Sequence, residues 1–199
     1  MVISLIGALK RYFSQNSKWF LIALTVWLAA SVCAVVCAAG TKGAVFDETY
    51  EYVSLAFSKK MSLGTLIKNG IVSDFKYVLF ISLASSAPVL LPVTLALIAF
   101  NGFSAGFTAT VIIKIYSLKG IAVSALAVVL PLSLSLPVYF LVFVSALKYS
   151  GDKMKSVRLK NPEAKKLTSH LLSQFILFGV LCVLAVMRGI LTMMAQALV

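Results

Sequence analysis

The sequence predicts an all-α fold: a polytopic membrane helical bundle of about five transmembrane helices, with residues 1–199 forming one integral membrane domain. Three observations predict it. The chain is 61% apolar and 12% charged, against about 45–50% and about 25% in an ordinary soluble domain. So little charge cannot cover a globule of this size, which excludes a soluble single domain. Four stretches lack Asp, Glu, Lys and Arg altogether: 19–41, 77–113, 120–147 and 167–187. Finally, 18 Lys and Arg against 6 Asp and Glu give a net charge of +12. Nucleic-acid binders carry such an excess on a polar surface; here it flanks apolar runs, so it reads as membrane topology and not as a nucleic-acid partner.

A bilayer core about 30 Å thick needs roughly 20 apolar residues as helix. Residues 19–40 fit one span, and at that length they predict a retained anchor, since a signal peptide has an apolar region of about 7–15 residues. The run 77–113 is too long for one span. Asn101-Gly102 is the strongly turn-favouring pair inside it, so the predicted spans are 77–100 and 102–118. Lys114 and Lys119 lie near the end of the second, where long stems can snorkel to the interface. Residues 120–147 and 167–188 supply the fourth and fifth spans. Pro88 and Pro92 in helix 2, and Pro131 and Pro137 in helix 4, each remove a backbone hydrogen bond and predict kinks in both helices.

Charge sets the orientation. With the N-terminus inside, cytoplasmic segments hold Lys10, Arg11 and Lys18 before helix 1 and seven bases in the 148–166 loop. Outer segments then hold seven in all, fewer than the ten inside. The positive-inside rule therefore predicts a multi-pass protein of the cell membrane with a cytoplasmic N-terminus and an extracytoplasmic C-terminus. The basic cytoplasmic loop can also attract anionic membrane lipids, although a topology signal alone accounts for it.

Two segments outside the spans show helical periodicity. Before helix 1, Val2, Leu5, Ile6, Leu9, Tyr12 and Phe13 fall on one face, either an interfacial helix or a plain lead-in. In the outer amphipathic loop, 42–76, Phe46, Tyr50, Val53 and Phe57 step by helical spacing. They form a candidate face for docking an external partner, with interfacial packing as the simpler alternative. A second short helix starts at Ser62 and ends at Asn69-Gly70.

Chemistry-bearing residues are sparse, and no catalytic, cofactor or metal site is predicted. His170, the only histidine, starts helix 5 as an interfacial imidazole. Cys33 and Cys37 are one turn apart without a His or carboxylate nearby, which suits small packing residues. Ser82, Ser85, Ser86, Ser133 and Ser135 suit carbonyls freed by the prolines. Arg188, late in helix 5, suits an outer-interface anchor. The sharper feature is Asn101 followed by Gly102-x-x-x-Gly106, continued by Thr110: a stripe that permits close helix approach. The proline-interrupted helices raise a second possibility, a small transporter or permease subunit.

The order of these features is recognisable. A lead-in Phe75-Lys76-Tyr77, a helix with Leu91-Pro92, Asn101-Gly102-Phe103-Ser104-Ala105-Gly106-Phe107, then Leu130-Pro131 and Leu136-Pro137 resemble the stage II sporulation protein M family. Pro92, Asn101, Gly102, Gly106, Pro131 and Pro137 carry the resemblance, which runs from about 20 to 190. Many wider relatives have a His-Gly and a Glu before the second proline of helix 4; here 130–137 has no ionisable group. The resemblance implies a non-catalytic membrane scaffold that anchors peptidoglycan-remodelling enzymes at the septal membrane during engulfment, with cell-wall hydrolases as partners.

Overall fold

The computed structural model describes residues 12, 14–40, 48, 50, 51, 61–159 and 167–198, and among them every regular element is helical. In chain order these are α1 (Ser17–Gly40), α2 (Leu63–Ser86), a 3-10 turn (Pro88–Leu90), α3 (Leu91–Ser124), a π segment (Ala125–Val129), α4 (Leu130–Leu159) and α5 (Leu167–Gln196). Among the described residues three helical runs are long and apolar enough to cross a membrane: Ser17–Gly40, Leu91–Ser156 and Leu167–Gln196. The lead-in 1–11, most of the segment 41–60 including Phe46, Val53 and Phe57, and the loop residues 160–166 lie outside the described residues.

The breaks fall elsewhere than the sequence predicts. Asn101-Gly102 does not end a helix; both residues sit within α3. The chain breaks instead at Ala87, extended at φ −114° and ψ 120°, as the residue before a proline prefers. Pro88 opens the 3-10 turn, and Pro92 stands in the first turn of α3, where the missing N–H has no intrahelical acceptor to lose. These two prolines therefore end one helix and start another; they do not kink a single one.

A second reversal lies inside α3. Ser117 has φ 50° and ψ −126°, a left-handed conformation costly for a residue with a Cβ. The chain folds back there tightly enough that a Cβ on Gly120 would lie 2.6 Å from the Ile112 carbonyl oxygen. The predicted boundary between spans 3 and 4, at 118–120, lies at this reversal. Helix 4 was expected to kink at Pro131 and Pro137; α4 instead runs without interruption from Leu130 to Leu159, with the local irregularity in the preceding π segment.

α2 also differs from expectation. Ser62 caps it, its hydroxyl accepting from the Thr65 N–H. The helix then continues through Asn69-Gly70 to Ser86, so residues 63–76 belong to a helix packed in the bundle and not to the outer loop. Packing drives the continuation: Gly70 faces Ala185 of α5, and Gly189 of α5 sits against Ile67. The largest helix pairings are α1 on α3 and α2 on α5. The core joins Ala23 of α1, Val78 and Ile81 of α2, Ile98 of α3, Phe140, Phe143 and Leu147 of α4, and Leu181 of α5.

Candidate functional site: a charged pair inside the bundle

Along α2, residues 74, 78, 81 and 85 step by four, three and four and are all buried. Val78, Ile81 and Ser85 suit that face; Asp74, 3% exposed, is a carboxylate on it. Its partner comes from α5, where Leu181, Ala185 and Arg188 share a face. The Arg188 guanidinium donates to both Asp74 oxygens, Nη1 to Oδ1 at 3.2 Å and Nη2 to Oδ2. α4 adds Tyr139, whose hydroxyl donates to Asp74 Oδ1 at 2.5 Å and accepts from Arg188 Nη1 at 3.4 Å. Three helices thus meet on one neutral, charge-assisted unit. The two-pronged guanidinium–carboxylate geometry is the strong form of such a pair.

The surroundings hold this unit in place. Tyr77, one turn after Asp74, donates to the Leu97 carbonyl at 2.7 Å and sets its ring edge-on to Tyr139, with centroids 5.9 Å apart. Tyr139 stacks on Phe143. Arg188 also reaches the Leu181 carbonyl at 3.5 Å, while its Nε meets no described acceptor. On the far side, Tyr139 and Arg188 border a cleft of about 230 Å³ lined by Asn101, Ser104, Thr108 and Ser135.

The glycine stripe closes the α1–α3 seam. A Cβ on Gly102 would lie 2.4 Å from the Trp27 carbonyl oxygen, and one on Gly106 2.5 Å from that of Ser31. Side chains stitch the seam: Trp27 Nε1 donates to Asn101 Oδ1 at 3.0 Å and Ser31 Oγ to the Gly102 carbonyl at 3.0 Å. Lys114 Nζ donates to the Ala38 and Ala39 carbonyls, each at 3.2 Å, so the terminal carbonyls of α1 gain a cation. Pro131 is buried, whereas Pro92 and Pro137 are exposed, and Tyr50 is 47% exposed.

At the opposite end of the bundle His170 is enclosed by protein. It is 6% exposed, its Nε2 lies 2.9 Å from Ser85 Oγ, and its ring stacks on Tyr149 at 4.2 Å. Lys153 Nζ donates to the Ser86 carbonyl at 2.7 Å, capping α2 from α4. Among the described residues no group of three His, Cys, Asp or Glu side chains is placed to hold a metal ion.

Sequence reasoning missed the central unit. Counting uncharged runs assigned Asp74 to a loop and Arg188 to the interface, and Arg188 is corrected here from an anchor to an internal ion-pair partner. The helical phase of 74, 78, 81 and 85 was the signal that could have found it. Fold and site together define an all-helical bundle with helices long and apolar enough to cross a membrane and an internal charge pair. No family model, curated protein or solved structure matches the chain.

Proposed function

We propose that this chain is a non-catalytic integral membrane scaffold, similar to the sporulation protein that anchors peptidoglycan-remodelling enzymes at the septal membrane during engulfment. The observation that carries the reading is the closed Asp74–Arg188–Tyr139 unit. Its charges and hydrogen bonds are used to join α2, α4 and α5, as befits a rigid anchoring body. The cell-wall partners follow from the resemblance in residues 75–147.

In this reading the spans number five: α1, α2, α3 as far as Tyr116, the chain from Leu118 into α4, and α5. Tyr12, Lys148 and the start of α5 line one cavity, and Lys153 reaches the end of α2. These basic residues share one end of the bundle, which by the positive-inside rule faces the cytoplasm. Lys114 and the end of α1 mark the outer end. In a chain with Cys33, Cys37 and Cys182 replaced by alanine, Tyr50→Cys is expected to react with an impermeant thiol reagent in whole cells and Ser156→Cys is not. The reverse labelling would overturn the orientation.

The scaffold is tested by photo-crosslinkers placed across residues 46–67 in sporulating cells. Capture of a cell-wall hydrolase is expected, and crosslinks that contain none would count against the proposal. The 230 Å³ cleft beside Arg188 favours a second reading, a small transporter or permease subunit. Ser104→Cys in the same cysteine-free background distinguishes them, since labelling from both membrane faces requires a solute path.

A further inference from the structure

Between α4 and α5, at the end assigned to the cytoplasm, lies a cavity of about 400 Å³. Its walls differ in character. Leu141, Ile176 and Leu177 form an apolar side, and Ile176, 63% exposed, continues it onto the outer face of the bundle. Lys148, Tyr149 and Ser169 supply the polar side. The Lys148 ammonium makes no ion pair or hydrogen bond with any described residue. Tyr149 is 5% exposed, its ring fixed against His170, yet its hydroxyl bonds to no described residue. A hydroxyl on a ring held in place, beside an ammonium without a described partner, is suited to an anion.

We propose that this cavity binds the phosphodiester of a single anionic glycerophospholipid from the cytoplasmic leaflet. The Lys148 ammonium meets the phosphate, Tyr149 and Ser169 donate to phosphate or glycerol oxygens, and an acyl chain runs along Leu141, Leu177 and Ile176. One ammonium without a described partner fits a monoanionic phosphodiester. Lys153, 5.8 Å over the Tyr149 ring, is already held by the Ser86 carbonyl and adds only a field. The apolar wall is the reason to assign a lipid and not a soluble phosphate ester.

The inference rests on the proposed orientation only for which leaflet supplies the lipid. Binding is read on the purified full chain with no partner present, so its failure and that of the scaffold are separable. Native mass spectrometry in detergent, with phosphatidylglycerol and phosphatidylethanolamine supplied equally, is expected to show one retained phosphatidylglycerol. Lys148→Ala should lower that retention at least about tenfold, as loss of one charge-assisted hydrogen bond implies. Tyr149→Phe should lower it less, and Lys155→Ala, on an exposed position of the same helix, not at all. Lys148→Gln keeps the aliphatic stem and decides the matter if the alanine variant does not fold. Equal retention by the Lys148 and Lys155 variants, or no preference over phosphatidylethanolamine, would overturn the site. Displacement by excess glycerol phosphate would overturn its assignment to a lipid.

Discussion

Asp74→Ala is expected to destabilise the folded protein by about 3–5 kcal/mol, the usual cost of leaving one member of a buried ion pair alone. Arg188 would then keep its charge among α2, α4 and α5 with only Tyr139 and the Leu181 carbonyl to meet it. Arg188→Ala should cost a similar amount by stranding the carboxylate, 3% exposed as it is. The double variant Asp74→Leu/Arg188→Met is expected to recover most of the loss, because it removes both charges and keeps volume. Thermal unfolding of the unaltered chain, Asp74→Leu, Arg188→Met and the double variant in one detergent gives the coupling as a double-mutant cycle. If the double variant is no better than the sum of the two single ones, the pair does not hold the helices together.

Gly102→Ala is expected to cost about 1–3 kcal/mol, the range for forcing a methyl group into a filled interior. The added carbon would meet the Trp27 carbonyl oxygen at 2.4 Å, and backbone cannot swing aside as a flexible side chain can. α1 and α3 must separate, which also pulls Trp27 Nε1 away from Asn101. Gly179→Ala is the matched control, since nothing lies within 4 Å of its added carbon. That variant should be neutral or slightly stabilised, by up to about 1 kcal/mol through the unfolded chain. Thermal midpoints and the emission of Trp27, read in a Trp19→Phe background, report both effects. Equal stability of the two variants would mean that α1 and α3 are not in close apposition.

Much of the helical layout was legible in the sequence where lysines bracket an uncharged run. α1 and α5 begin within two residues of the predicted starts because Lys18 and Lys166 mark them. The Asn101-Gly102 break was misplaced because Asn-Gly is a turn signal of chains in water. Within a bundle, Gly102 supplies close approach and Asn101 accepts from an indole, so neither leaves the helix. The prolines carried the true break, and proline's effect on the residue before it was the better guide. Asp74 and His170 were misread for a shared reason: counting charge treats every polar residue as wet. Their partners, Arg188 and Ser85, lie 114 and 85 residues away, and one-dimensional spacing holds no record of such pairings.

The distance along the chain between Asp74 and Arg188 also bears on biogenesis. At roughly 5–20 residues per second, a ribosome takes about 6–23 s to make the 114 residues that separate them. During that interval α2 exists with an aspartate that has no arginine to meet it. In the proposed five-span reading, where α2 crosses the membrane, a carboxylate in that state raises the cost of leaving water, a cost that the arrival of α5 relieves. In that reading α5 completes the site around Asp74. A chain interrupted before Arg188 keeps Asp74 without this partner.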